Sequence, residues 1–427
     1  MSAGPVKGGG IGHGFGRLWG AAISSNLADG IARLAVPLTA VTLTTDPLAI
    51  SLLAALSYVP WLVFGVPAGV IVDRVDRRVA MAIGNAGRMV AAVGVALAIA
   101  TGHVSVPILA AATLLFGFGE TVVDNATTAV VPSLVGRERL DKANGRIQAA
   151  QTGIDMFVAT PVSGVLFALA MVLPMIVGAL GYVVAAVLAL SLPVAAAHAR
   201  PADESGVRAP AVPLRDAMRF LWHHAYLRPM VLLTSLIGAF IAFAQAVTVL
   251  VFVDHFGVGP GAIGLVTAGI GVGGVLGSLT APSVVAALGR GRTLLGGMML
   301  AGLGLAAVAL APSAWVAVAV YGAAAYGVAC WNVVWGSMCQ ALIPGGILGR
   351  ATGAMRTASW GLMPVATLVG GWVAREHLMW PYAIGGLATA ALAVVGGRLL
   401  LAADARLAES SPSPSTEVAE DGVAVPA

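Results

Sequence analysis

Long apolar stretches alternate with short polar ones along nearly the whole chain. A membrane-crossing helix needs about 20 predominantly apolar residues. Twelve stretches have that character: 17–43, 48–72, 79–101, 107–133, 147–169, 171–196, 229–253, 262–288, 293–311, 314–342, 353–374 and 380–401. The pattern predicts an all-α membrane protein with twelve transmembrane helices. The one long polar interruption before the tail, 197–228, divides them six and six. Within it Leu214, Met218, Leu221 and Trp222 fall at helical spacing opposite Arg215 and Arg219. That arrangement predicts an amphipathic helix in the membrane interface, with a plain flexible linker as the alternative. The expected organisation is a terminal segment 1–16, a six-helix bundle 17–196, a linker 197–228, a second six-helix bundle 229–402 and a disordered tail 403–427 rich in Ser, Pro and acids.

Arginine placement orients the spans. One set of loops carries Arg74, Arg77, Arg78, Arg137, Arg139, Lys142, Arg146, Arg200, Arg208, Arg290, Arg292 and Arg350, whereas the alternate loops contribute only Arg375. Basic residues concentrate on the cytoplasmic side, so both termini are expected in the cytoplasm. The abundance of arginine over lysine, whose two positions are Lys7 and Lys142, suggests a GC-rich bacterial source and hence the bacterial cytoplasmic membrane.

Composition agrees with this reading and excludes others. Charged residues make up 10% of the chain, against about 25% in soluble domains. The net charge of +4 is spread over short loops, not gathered into a nucleic-acid face. Neither lysine precedes Ser or Thr, so there is no phosphate-binding loop for ATP. Gly269-x-Gly271-x-x-Gly274 matches a dinucleotide fingerprint but lies inside an apolar span, where Gly269, Gly273 and Gly277 read better as close helix packing. No nucleophile–base set or metal cluster stands out, so no enzyme activity, metal or cofactor is expected. Cys330 and Cys339, about 13 Å apart on one helix, are expected to be free and buried.

The halves echo each other. Gly145 and Gly153 recur as Gly353 and Gly361, displaced by 208 residues, and Gly65 recurs as Gly277, displaced by 212. Pro132 and Pro344 each end a span before a loop containing Gly-Arg. Two six-helix units that start on the same side imply a pseudo-two-fold axis along the membrane normal, with a substrate site near the midplane between them.

The loop Gly69-x-x-x-Asp73-Arg74-x-x-Arg77-Arg78 resembles the signature loop between helices 2 and 3 of the major facilitator superfamily of secondary transporters. The likeness covers residues 15–402 and is strongest to bacterial exporters of the drug and siderophore efflux type. Asp76 stands where the family usually has glycine. The resemblance implies that Asp73 caps the start of helix 11 near Gly353 and Ala354, forming a latch for the outward-facing state. Gly153 with Pro161-Val162-Ser163-Gly164 resembles the exporters' antiporter motif, although Thr160 replaces a glycine and only one glycine follows. The implied activity is export of a small lipophilic or amphipathic molecule by a monomer embedded in the lipid bilayer, in exchange for protons, as in multidrug resistance. A proton-coupled importer of the same fold and a non-transporting receptor or scaffold remain alternatives.

Ionisable residues inside the spans sharpen the coupling argument. Asp29 and Arg33 lie four apart on the first span, as do Glu120 and Asp124 on the fourth, and Asp155 lies on the fifth. A charge at the bilayer centre costs about 2.5–3.5 kcal/mol even on a lenient scale, so these groups are expected to face one another. Desolvation and like-charge crowding favour protonated carboxyls, and several acids sharing Arg33 could not all stay ionised. A static buried pairing of Asp29 and Arg33 with one acid of the fourth span is the alternative. Candidate substrate contacts are Asn26 in the first half, and Phe240, Phe243, Gln245, Trp331, Asn332, Trp335 and Trp360 in the second.

Overall fold

The computed structural model describes residues 13–135, 158–194, 214–344 and 348–410, with scattered positions between 143 and 154. The first half contains α1 (His13–Leu43), α2 (Pro47–Leu56), α3 (Val59–Arg74), α4 (Arg77–Ala100), α5 (Val106–Leu134), α6 (Thr160–Leu169) and α7 (Leu173–Leu190). A short helix, α8 (Leu214–His223), precedes the second half. There follow α9 (Leu227–Gln245), α10 (Pro260–Leu288), α11 (Arg290–Val308), α12 (Ala314–Leu342), α13 (Leu348–Ala374), α14 (Trp380–Val395) and α15 (Ala403–Ser410). The segment after α9 continues through a π-helical turn at Val251–His255.

These elements follow the predicted spans, except that part of the fifth, between 148 and 157, lies outside the described residues. Eight of the described segments are long and apolar enough to cross a membrane, and α6 and α14 are shorter apolar helices. The remaining two, α1 and α13, carry Arg17, Asp29 and Arg33, and Arg350 and Arg356. The second span breaks at Ser57–Tyr58 into α2 and α3. Pro60, which has no N–H to give the preceding turn, sits in the first turn of α3. Carboxylates close two helix starts: Asp46 accepts from Leu48 N at 3.0 Å and Asp76 from Arg78 N at 2.9 Å. Each satisfies an otherwise orphaned amide.

The two halves pack by one scheme. In the first, α4 lies between α5 and α7, α1 lies on α6 and α7, and α3 lies on α5. In the second, α11 lies between α12 and α14, α9 lies on α13 and α14, and α10 lies on α12. Close approach depends on glycine. A Cβ on Gly273 would collide with the Gly322 carbonyl, and one on Gly277 with the Tyr326 carbonyl. Gly269, Gly273 and Gly277 thus meet positions 318, 322 and 326 at successive turns, the packing role read from their spacing.

The halves touch along α6–α10 and α2–α13, toward the face opposite the termini. One hydrophobic core runs through both halves there, including Val36, Leu53, Leu250, Ile263, Tyr321 and Met379. Toward the terminal face the core divides in two. Phe15, Leu18, Met81 and Val130 belong to one cluster, and Leu294, Met338, Ala351 and Leu400 to the other.

Two peripheral expectations are resolved by these helices. In α8, Phe220 and Leu221 pack on the second half while Met218 and Trp222 stay exposed. The tail expectation is corrected over its first residues: Ala403–Ser410 is helical. Its Asp404 carboxylate accepts from Arg290 N and Gly291 N, both at 3.1 Å, so α15 caps the positive end of α11. Residues 411–427 lie outside the described residues. Cys330 and Cys339 are free and buried.

Candidate functional site

The centre of the first half is built around Arg88, which the charge inventory of the spans overlooked. Gly84 and Gly119 face each other where α4 crosses α5, and a Cβ on Gly119 would lie 2.6 Å from Arg88 Cγ. The missing side chain makes room for the arginine stem. Arg88 Nη1 donates to Asp29 Oδ2 at 2.5 Å, and Nη2 donates to Ser25 Oγ and Asn85 Oδ1, both at 2.8 Å. Tyr182 OH donates to the second Asp29 oxygen at 2.7 Å, and its ring lies under the guanidinium, 4.9 Å from Cζ to the centroid. Arg88 and Asp29 side chains are only 1% and 8% exposed, so water cannot replace this shell. Burial of such a pair is tolerable only with the remaining hydrogen bonds in place.

In the alternative reading Asp29, Arg33 and one acid of the fourth span pair together; Asp29 instead pairs with Arg88, while Arg33 does meet an acid of that span. One turn further along α1, Arg33 Nη2 meets Glu120 Oε1 at 3.3 Å. Helical geometry turns Asp29 toward α4 and α7, while Arg33 leans toward α5. Asp124 lies a turn beyond Glu120. Asp155 lies outside the described residues. Asn26 Nδ2 donates to the Ala22 carbonyl at 2.8 Å.

Asp29, Arg33 and Glu120 border a cavity of about 250 Å³ between the halves, lined also by Tyr182, Gln245 and Thr248. A second cavity of about 350 Å³ lies mainly in the other half, lined by Trp331, Asn332, Trp335, Ser359 and Trp360 and bordered by Tyr58 of the first half. Gln245 borders both cavities. Asn332, Trp335 and Trp360 extend into a third space of about 790 Å³, which reaches Gln340 and Gly353. Trp360 meets Tyr58 and Trp61 of the opposite half edge-on, at 6.4 and 5.8 Å between centroids. Phe240 and Phe243 line none of these three cavities. Their carbonyls face Gly385 and Gly370, so they sit where α9 packs on α14 and α13.

The loop between α3 and α4 is tied to its own half. Arg77 Nη1 donates to the Ala129 carbonyl at 2.7 Å, and Arg78 donates to Asp76 and to the Leu192 carbonyl. The Arg78 guanidinium holds the Asp76 carboxyl below its ordinary range. Arg74 is exposed, a Cβ on Gly69 would face Asn125, and the Asp73 side chain lies outside the described residues. In the antiporter-like stretch, Gly153 faces open space, whereas Pro161 and Gly164 abut Gly264 and Gly261 of the opposite half. Nearby, Asp46 receives a two-pronged contact from Arg375, 2.7 Å from Nε and 2.5 Å from Nη2, across the halves. That contact lowers the Asp46 pKa.

Of the residues expected from sequence, Asp29, Arg33, Glu120, Gln245, Asn332 and the three tryptophans line these cavities; Arg88, Ser25, Asn85, Tyr182 and the Asp46–Arg375 bridge were not among the candidates. Arg88 left a signal: a lone arginine deep inside the apolar stretch 79–101, on the same helical face as Asn85.

Comparison with known proteins places this architecture. A family model described as Major Facilitator Superfamily matches residues 18–366. Macrolide efflux protein A of Streptococcus pyogenes is 30% identical over 155 residues, 36% of this chain and 38% of that protein. An uncharacterised MFS-type transporter of Mycobacterium tuberculosis is 33% identical over 99 residues, 23% of this chain and 22% of that protein. The matched region thus spans well under half the length of these curated relatives. Among solved structures, a bacterial homologue of the iron transporter ferroportin in an inward-facing state superposes with a TM-score of 0.70 at 14% identity, covering 90% of this chain and 98% of that one. A bacterial homologue of the human lysosomal transporter Spinster, inward-facing and unoccupied, gives 0.68 at 16% identity, covering 94% and 98%.

Proposed function

This chain belongs to the major facilitator superfamily, and on that premise we propose that it exports a small lipophilic or amphipathic organic molecule from the bacterial cytoplasm in exchange for protons. The observation that carries the proposal is the group of Asp29, Arg33 and Glu120 bordering one cavity between the two halves, with Asp29 held from behind by Arg88. Charges in such a place are costly and mark a coupling site. The neighbouring aromatic chamber suits an apolar cargo body. Relatives named for macrolide efflux support export and an organic cargo of this character. The arginine bias of the loops puts both termini in the cytoplasm, so the divided core at the terminal face reads as an inward-open state.

The domain scheme follows: bundles 17–196 and 229–402 rock about a linker carrying an interfacial helix. Asp73 and the arginines around it latch the opposite, outward-open state against the start of α13. The transporter acts as a monomer. One proton crossing 100 mV supplies about 2.3 kcal/mol, enough for a roughly forty-fold gradient of a neutral cargo at about 1.4 kcal/mol per tenfold.

Inverted membrane vesicles and a panel of lipophilic dyes test this reading. Dye uptake should require an imposed pH gradient and collapse when a protonophore is added. Uptake indifferent to the gradient would refute proton exchange, and accumulation in right-side-out cells would refute export.

A further inference from the structure

We propose that Glu120 is the group that loads and releases the coupling proton, and that Asp29 is a fixed charge which never leaves Arg88. The assignment rests on the proton-exchange reading above and names its working residue.

The two carboxylates sit in opposite circumstances. Asp29 is saturated: Arg88 holds one oxygen, Tyr182 holds the other, and Arg88 is in turn fixed by Ser25 and Asn85. Protonating Asp29 would strand a buried guanidinium, and opening the shell would strand several polar groups at once. Glu120 has a single hydrogen bond among the described residues, the 3.3 Å contact with Arg33. Its side chain is 27% exposed and that of Arg33 57% exposed, both bordering the cavity. A proton carrier must be reachable by water and held by a partner it can leave; of Asp29 and Glu120, the two described acids that border the cavity, Glu120 meets both conditions.

The charged and titratable surroundings agree. Glu120 faces Arg33 and Asp29 from α1, Arg88 from α4 and Tyr182 from α7, with Asp124 on its own helix. Asp29 and Arg88 are already paired with each other, while Glu120 pairs with Arg33. Like-charge crowding from Asp29 and Asp124 favours a protonated Glu120 carboxyl. From the second half, Gln245 and Thr248 border the same cavity and carry no charge. In the cycle, the Glu120 carboxylate takes a proton from water on one side of the membrane and releases the Arg33 guanidinium, which stays charged. After the halves rock, the carboxyl returns the proton to water on the other side and the ion pair re-forms. No other bond is made or broken.

Difference infrared spectroscopy on the purified full chain in lipid, stepped through the physiological pH range, reads carboxyl protonation without a substrate. One protonated-carboxyl C=O band should titrate. It should be lost in Glu120→Gln, retained in Asp29→Asn, and displaced in its titration by Arg33→Gln. Glu120→Asp should restore a band at an altered position, separating loss of the carrier from loss of the fold. A band lost in Asp29→Asn and kept in Glu120→Gln would overturn the assignment, as would the absence of any titrating band. If the band behaves as expected while dye uptake ignores the pH gradient, the exchange reading fails and the assignment of Glu120 stands.

Discussion

Single residues carry the largest energetic consequences in the first half. Removing one member of a buried pair leaves an uncompensated charge, at a cost of about 3–5 kcal/mol. Arg88→Gln should therefore lower the thermal midpoint of the purified protein sharply, and Arg88→Leu combined with Asp29→Leu should recover most of the loss. The bridge between Asp46 and Arg375 behaves differently because it is half-exposed. Asp46 titrates below its ordinary value of 3.8 in the folded protein. Its contribution is fully present above that value and disappears as pH falls through the folded one. Melting curves recorded against pH should show an acid limb that flattens in Arg375→Gln. His224 adds a second acid-sensitive joint. Its Nδ1 accepts from Tyr226 N and Leu227 N at 3.2 and 3.1 Å, and burial lowers its pKa. The start of α9 is thus secured above the ordinary histidine value of 6.5 and loosens as pH falls through the lower folded one.

Helices were more legible than the contacts between them. Apolar length marked most of the spans, because a bilayer demands it whatever the fold. Glycine spacing marked the α10–α12 seam, since residues at four-residue intervals share a helical face. Pairing across helices was harder. Asp29 and Arg33 share a face by spacing, yet a modest difference in direction sends one to α4 and the other to α5. No spacing rule within a helix reports its rotation against a neighbour. The tail was misread for a related reason: the order of Ala403–Ser410 comes from the amides of Arg290 and Gly291, over a hundred residues away in sequence. Substitution tests the seam. Gly273→Val should destabilise the second half by about 1–3 kcal/mol or more through overpacking. Gly87→Ala, whose Cβ would meet nothing within 4 Å, should be neutral or slightly stabilising in the same melt.

The molecule as a whole repeats its architecture but not its chemistry. The sixth spanning helix of each half presents a fully buried tyrosine, Tyr182 and Tyr382. Tyr182 donates to a carboxylate, whereas Tyr382 donates to Thr248 Oγ1 at 2.8 Å. One half therefore holds ions where the other holds neutral hydroxyls. Tyr382→Phe should cost about 0.5–1.5 kcal/mol, the net worth of one hydrogen bond, and leave the pH dependence of dye uptake unchanged.

The meeting of Pro161 and Gly164 with Gly261 and Gly264 is made almost wholly of main chain. Interdigitated side chains must unmesh before two surfaces can slide, and bare backbone has nothing to unmesh. Such a junction can roll with little resistance and serve as a fulcrum. A bulky residue there would then slow turnover without touching cargo or proton.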